Sequence, residues 1–388
     1  MKKTLIAVAA LSAMAASAMA ANVTLYGKID QGFQVQSKKV DGKDRATTWK
    51  GVSGISSGSR WGLKGTEQIA DGYTVGFVLE SGFDGMDAKF GDEDRLFNRD
   101  AFLTLNTPFG MLTVGRTGKL SDGNTGDIIA GKASPFGTSY KLASSTKTTF
   151  VGFDTSRTDR AVRYVSPKFA GFQIHAEYAN MTYSKIGTLD TTVNIGGTDY
   201  EVSIPVANDY AGGTASTKKR YGGIGVSYAN GPFYAAMTAE TIRMPAGVAG
   251  DDPQAYGLAA NYDFGVAKVF AGYQYAKESA KWGDLNAGTL GVSAPVAGGM
   301  LMASVAYAKG DDSHSLTSGA IGYKYSLSKR TYLYTDVAYA QEKAATTKVK
   351  TKTTEFNLGI CHSFSSKIFW LVSIVSNPVS LSEAGFSY

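Results

Sequence analysis

Tyr73-Thr74-Val75-Gly76-Phe77-Val78-Leu79-Glu80 sets Tyr73, Val75, Phe77 and Leu79 on one side of an extended chain, with Thr74, Gly76, Val78 and Glu80 between them. The same period of two recurs in Phe233, Ala235, Met237 and Ala239, and again in Gly319, Ile321, Tyr323, Tyr325 and Leu327. A strand patterned this way has one apolar and one wet face. Helical periodicity is almost absent, and no apolar run past the N-terminus is long enough to span a membrane. The wet faces can look outward, as in a soluble sandwich, or inward around water. Tyrosines at the ends of the apolar faces favour the second arrangement, because an amphipathic ring sits well at a lipid headgroup boundary.

The first residues read as a secretory leader. Lys2 and Lys3 form the charged start, Leu5 to Leu11 the apolar centre, and Ala18-Met19-Ala20 the small-residue cleavage site. Residues 1–20 are therefore expected to be removed, with the mature chain starting at Ala21. The formal net charge of +6 falls to about +4 once the two leader lysines are set aside, too little for a nucleic-acid footprint. The chain has 46 glycines, 22 tyrosines and 19 phenylalanines against 9 prolines, which suits long pleated strands and tight turns. Its one cysteine, Cys361, can form no internal disulfide.

Seven short turn signals punctuate the chain: Ala70-Asp71-Gly72, Thr107 to Gly110, Pro167 to Gly171, Asn230-Gly231-Pro232, Asp263-Phe264-Gly265, Pro295 to Gly299, and Ser328-Lys329-Arg330. Longer polar stretches rich in Gly, Ser, Thr and Asp lie between them. Short connections on one side and long ones on the other are the asymmetry of an outer-membrane barrel. Seven turns join fourteen strands; with a first and a last strand this predicts an all-β fold, a closed sixteen-stranded antiparallel transmembrane barrel with both ends on the short-turn side. Closure leaves no unpaired edge in lipid. Two connections are unusually long, about Gly118 to Ser156 and Ser184 to Lys219, and loops of that length in a compact fold are usually functional.

The segments Val23 to Gly27, Ser59 to Glu67, Leu96 to Arg99, Val114 to Arg116, Arg163 to Pro167, Tyr262 to Lys268 and Leu327 to Thr331 resemble, in order and at the expected spacing, the general diffusion porins of betaproteobacteria, including the neisserial type. The resemblance covers residues 21–364. It implies short periplasmic turns, long extracellular loops and a third loop, after strand five, folded into the barrel. It also implies a homotrimer in the outer membrane of a Gram-negative cell, among its lipid and lipopolysaccharide, inserted by the barrel-assembly machinery. The function it implies is passive flow of ions and small hydrophilic solutes. Apolar outer faces of the first and last strands, with Val23, Leu25, Leu358 and Ile360, suit subunit packing.

A diffusion pore needs a narrow, wet, charged constriction. Strand parity puts Arg60 and Lys64 in the lumen, because Trp61 and Leu63 take the lipid face; Arg163 follows if Val162 and Tyr164 point out, and Lys28 and Asp30 share the wet face of strand one. Arg99 resembles a lumenal arginine of the family, although Ala101 and Leu103 blur its parity. The family sets such a basic ladder against carboxylates of the infolded loop, here Asp122 and Asp127. That loop also carries Lys119, Lys132, Lys141 and Lys147 and shows no acidic excess, so the pore is expected to lean weakly toward anions. The glycine-rich inner faces, such as Gly223 and Gly225, read as open rather than plugged. A substrate-specific channel for phosphate or a sugar, and a non-conducting adhesin, are the alternatives.

Catalytic readings are poorly supported. Strand parity puts His175 in the lumen and His362 on the outer face, while His314 lies in a loop beside Asp311 and Asp312; these with Asp251-Asp252 only superficially supply a protease set. Asp92-Glu93-Asp94 reads as hydrated loop charge. No phosphate-cradling glycine loop, zinc-ligand spacing or cofactor motif is present, so no catalytic residue, metal or cofactor is expected. The chain departs from the family at its end: porins of this type stop at the phenylalanine matching Phe364 and usually carry arginine where this chain has Cys361. Residues 365–388, with an apolar patch from Ile368 to Val372 too short to span as a helix, are expected outside the barrel.

Overall fold

The computed structural model describes residues 22–92, 94–152, 157–182, 186–195, 198–207, 218–244, 251–279 and 282–367. Sixteen barrel strands run in chain order: β1 Thr24–Val40, β2 in two pieces Ala46–Ser53 and Arg60–Ala70, β3 Tyr73–Asp84, β4 Ala101–Thr107, β5 Gly110–Gly118, β6 Arg157–Val165, β7 Phe172–Thr182 and β8 Lys218–Asn230. They continue as β9 Phe233–Arg243, β10 Gln254–Asp263, β11 Lys268–Ser279, β12 Gly283–Val296, β13 Gly299–Lys309, β14 Ser315–Ser326, β15 Thr331–Lys343 and β16 Lys350–Lys367. Each strand pairs antiparallel with its chain neighbours, and β16 pairs back onto β1, from Thr24 opposite Lys367 to Val40 opposite Thr351. The sheet is closed, so every strand has two partners.

The alternation read in the sequence becomes an inside-out protein. Ile29, Phe33, Ile174, Ile224, Met237, Leu258, Leu290, Val305, Ile321 and Leu358 are exposed on the outer face. Asp30, Gln34, Arg163, Glu177, Glu240, Gln274, Asp336 and Asn357 are buried within. Polar side chains can be enclosed because they partner one another: Gln34 donates to Asn357 Oδ1 at 3.0 Å, and Asn357 donates to Asp336 at 2.9 Å. At the short-turn end, aromatic rings form a near-continuous run, Phe172–Tyr228 at 4.6 Å, Tyr228–Phe233 at 6.1 Å, Phe233–Tyr262 at 6.5 Å and Tyr262–Phe264 at 4.6 Å. Such a girdle marks a membrane interface.

Two details refine the expected layout. β2 is interrupted between Ser53 and Arg60, and Asp30 pins the break, accepting from the Ser56 hydroxyl at 2.7 Å, the Ser57 N–H at 2.5 Å and the Tyr334 hydroxyl at 2.6 Å. β16 runs three residues past Phe364, with Lys367 opposite Thr24, so strand pairing continues beyond 364 to the last described residue. Residues 1–21 and 368–388, on which the leader and most of the C-terminal extension fall, lie outside the described residues. Within the long stretch after β7, Ile186–Ile195 and Thr198–Ala207 pair as a two-stranded hairpin separate from the barrel sheet.

Candidate functional site: an infolded loop facing a charged wall

The segment after β5 turns into the barrel and follows its inner wall. Its contacts trace the path: the Tyr234 hydroxyl of β9 donates to Ile128 O at 2.9 Å, Asn261 of β10 to Lys132 O at 3.0 Å, and Ser304 of β13 to Ala143 O at 3.3 Å. Thr289 of β12 meets the Ser145 hydroxyl at 2.6 Å, and the Gly152 N–H donates to Gln274 of β11 at 3.0 Å. The tip reaches the opposite side, where the Tyr140 N–H donates to Ile55 O in the β2 break at 2.6 Å and the Leu142 N–H to Glu355 of β16 at 3.3 Å.

The wall has been cleared for this loop. A Cβ at Gly225 would lie 2.8 Å from Ile128 Cδ1, at Gly257 3.1 Å from Ile129 Cγ2, at Gly272 2.5 Å from Ala133 Cβ, and at Gly322 2.7 Å from Phe136 Cε1; at Gly291 it would collide with Pro135. Alternation turns all five inward. Ile129, Ala133, Phe136 and Tyr140 are thereby buried, and Phe136, Tyr140 and Tyr334 stack edge to face with centroids 5.4 and 5.5 Å apart. The reading of Gly225 as open lumen is corrected here: the missing side chain admits the loop. Gly223 likewise has the Tyr221 hydroxyl against it.

Loop packing on β8–β15 leaves the other side of the bore to β1–β4. There Glu80 of β3, at the end of the alternating stretch from Tyr73, takes two arginines. Arg60 Nε lies 3.2 Å from Oε2 and Arg99 Nε 2.5 Å from Oε1, with both side chains about a quarter exposed. The Tyr26 hydroxyl adds a third donor at 3.1 Å. Lys28 stands opposite Arg60, and Lys64 is exposed further along the same face with Nζ 5.1 Å from the Tyr26 ring centroid. A cavity of about 290 Å³ opens between Tyr26, Lys28, Arg60, Glu80 and Ser363. A larger concavity of about 950 Å³ lies among apolar residues, including the outward-facing Met237, Leu258, Tyr273 and Leu290, and has no charged lining residue.

The remaining residues singled out in the sequence are placed differently. Arg163 points inward but is only 3% exposed. It pairs with Glu177 through Nε at 2.8 Å and Nη2 at 2.5 Å, and donates to Thr125 O at 2.9 Å and to Gly118 O. Gly126 leaves room for the guanidinium, since a Cβ there would overlap it. Arg163 thus clasps the root of the loop instead of facing the bore. Asp122 accepts from the Lys119 and Asn124 N–H groups at 2.9 and 2.8 Å. Asp127 accepts from Ile129, Ala130 and Gly131 at 3.1, 2.9 and 2.7 Å. Both aspartates fold their own loop and do not stand opposite the basic wall as free carboxylates. Desolvation raises both pKa values, Asp127 to about 6.

Sequence reasoning did not find the ion pairs around the loop root. Arg157 donates to Asp100 at 3.0 Å, Asp100 also accepts from Thr125, and Arg95 and Arg116 share Asp159 at 2.9 and 2.5 Å. The alternation is broken there by a shift in the β5–β6 register and by Arg160 at φ +52°, so parity could not sort these side chains. The histidines are all engaged: His175 with Ser227 at 2.9 Å, His362 with Thr331 at 2.8 Å, and His314 with Glu342 at 3.0 Å while stacked on Trp282.

Residues 7–345 match the Gram-negative porin family. The chain belongs to that family. It is 32% identical to outer membrane porin protein 32 of Delftia acidovorans, over 89% of this chain and 92% of that one. It is 29% identical to an outer membrane porin protein of Bordetella pertussis, over 94% of this chain and all of the other. Among solved structures, an anion-selective porin from Comamonas acidovorans matches with a TM-score of 0.62 at 24% identity, covering 89% of this chain and all of that one. The trimer form of OmpT from Vibrio cholerae matches at 0.58 with 17% identity, over 89% and 100%. The molecule is an outer-membrane porin of Gram-negative type, crossing the bilayer by strands, and the named homologues are channels rather than enzymes.

Proposed function

We propose that this porin is a water-filled channel for passive diffusion of ions and small hydrophilic solutes, with a weak preference for anions. One observation carries the reading: Arg60 and Arg99 share the single carboxylate of Glu80, which leaves about one net positive charge at the wall, with Lys28 and Lys64 beside it. The loop facing that wall offers no free acid at Asp122 or Asp127, both of which are bound to backbone. The structural neighbour from Comamonas acidovorans is an anion-selective porin, which supports the same preference here. Reversal potential in planar bilayers under a salt gradient tests the proposal, and a cation preference in the unaltered protein defeats it.

The cation-lined cavity beside Arg60 favours one second reading, a saturable site for a small anion such as phosphate. Conductance that saturates with phosphate but not with chloride supports it, and linear behaviour with both removes it. We also propose a homotrimer, supported by the exposed Leu358 and Ile360 on the outer face of β16 and by the trimeric form of the Vibrio cholerae neighbour. Native mass spectrometry giving only monomer in mild detergent overturns it.

A further inference from the structure

Strand parity puts Asp30 on the wet face of β1, as one more charge on the pore wall. In the structure it is fully buried, and its carboxylate takes three neutral donors. Oδ2 accepts from the Ser56 hydroxyl at 2.7 Å and the Ser57 N–H at 2.5 Å, and Oδ1 from the Tyr334 hydroxyl of β15 at 2.6 Å. The main chain of the same residue holds both ends of the β2 break. The Gly54 N–H donates to Asp30 O at 2.8 Å, and the Asp30 N–H donates to the Ser59 hydroxyl at 3.1 Å. A segment that leaves strand pairing needs partners elsewhere, and Asp30 supplies them to Gly54, Ser56, Ser57 and Ser59.

The break so shaped touches both sides of the bore. On one side it receives the infolded loop: Ile55 is fully buried, and its carbonyl accepts from the Tyr140 N–H at 2.6 Å. Gly32 and Gly359, directly opposite each other on β1 and β16, clear the space. A Cβ at Gly32 would lie 3.0 Å from Ile55 Cδ1, and one at Gly359 would collide with the Tyr334 hydroxyl. The Tyr334 ring meets Tyr140 edge to face at 5.5 Å, so the loop tip rests on the Asp30 network twice, through Ile55 and through Tyr334. On the other side the break holds Arg60. Arg60 Nη1 donates to Gly58 O at 2.9 Å and to the Ser57 hydroxyl at 3.4 Å, while Nε faces Glu80.

We infer that Asp30 is a positioning residue for permeation: acting through the β2 break, it fixes the loop tip and the Arg60 guanidinium relative to each other without facing the bore itself. The inference rests on the reading of the molecule as a weakly anion-preferring diffusion channel. A wall charge acts on a passing ion over a distance that water and salt keep short. A loop tip that leaves the break therefore gives a wider, less steady bore in which Arg60 discriminates less.

The test compares Asp30→Ala and Asp30→Asn with the unaltered chain, by single-channel recording and reversal potential in planar bilayers and by hydrogen exchange over residues 138–143. Asp30→Ala removes every side-chain acceptor. It is expected to give a larger, fluctuating conductance, an anion-to-cation permeability ratio that falls toward one, and exchange at least about tenfold faster at the loop tip. Asp30→Asn removes the charge and keeps the bonds, since its Oδ1 can serve Ser56 and Ser57 while its Nδ2 donates to the Tyr334 hydroxyl. It is expected to conduct steadily and to protect the tip as the unaltered chain does. A plain wall carboxylate predicts the reverse, namely that both variants become more anion-preferring alike, with steady conductance and unchanged exchange, and that result overturns the inference. Should Asp30→Ala fail to insert, Ser56→Ala/Tyr334→Phe keeps the carboxylate and the aromatic ring but removes two of its three donors. That variant must loosen the tip and lower the permeability ratio in the same direction, and the inference falls if it does not. A cation preference in the unaltered chain defeats the anion reading alone, because the fluctuation and exchange readouts still decide the role of Asp30.

Discussion

The inner wall of β8–β14 and the inner wall of β1–β3 are built with the same strand geometry, and they treat the enclosed space in opposite ways. The first presents Gly225, Gly257, Gly272, Gly291 and Gly322 and is covered by apolar loop residues. The second presents Lys28, Arg60, Lys64 and Glu80 and is left to water. The contrast extends to single arginines. Arg163 and Arg60 both point inward, but Arg163 is sealed with Glu177 under the loop root while Arg60 stays about a quarter exposed. Pointing into a barrel and reaching its water are separate conditions, and the loop decides the second.

The contrast breaks first at the clasp. Arg163→Ala leaves Glu177 buried without its counter-charge, with only the Thr158 hydroxyl still donating to it, which costs about 3–5 kcal/mol. The expected outcome is a barrel with a lower unfolding temperature and loss of hydrogen-exchange protection over residues 119–150; unchanged protection would mean that Arg163 does not hold the loop. Next comes the seat. Gly272→Val inserts atoms where Ala133 and Phe150 already pack, an overpacking of about 1–3 kcal/mol. It should push the loop toward the charged wall and lower single-channel conductance, whereas Gly288→Ala, whose Cβ would have only Gly272 O nearby at 3.9 Å, should leave conductance unaltered.

On the water side, Arg60→Gln with Arg99→Gln removes both partners of Glu80 and changes the local charge from about +1 to about −1. At a separation of about 4 Å a unit charge in water is worth about 1 kcal/mol. The anion-to-cation permeability ratio should therefore fall severalfold, read as a shift in reversal potential. A ratio that stays put would move the source of selectivity away from Glu80 and its arginines.

The smallest expected effect is a pH dependence. Asp127 has a folded pKa of about 6 against an ordinary 3.8. The folded state therefore holds its proton more tightly, and this contribution to stability is complete below about 3.8 and lost as pH rises through about 6. Loop protection measured across that window should decline with rising pH. Asp127→Asn, which keeps an acceptor oxygen without the charge, should flatten the decline.

The barrel was legible because one local rule, apolar at every second residue, repeats sixteen times, and because Gly, Pro and Asp mark the turns. That rule also located Arg60 and Glu80 on the wet side. It failed where neighbours distant in sequence determine a residue's surroundings. Gly225 looks the same in sequence whether open space or Ile128 lies above it, and Asp127 gives no sign that it will turn back on Gly131. The Arg157–Asp100 and Arg116–Asp159 pairs were hidden for a different reason: the register shifts between β5 and β6, and one residue out of step reverses every side chain after it.

The loop's double attachment, with its root clasped between β5 and β6 and its tip hydrogen-bonded to Ile55 in the break of β2, works as a crossbar in a hoop. The circumference is set by sixteen strands whose outer faces must satisfy lipid. The bore is set by some thirty residues packed along the inner wall. Permeability can therefore drift by substitution at the crossbar and its glycine seat while the membrane-facing surface stays untouched, so one shell can serve many solute environments.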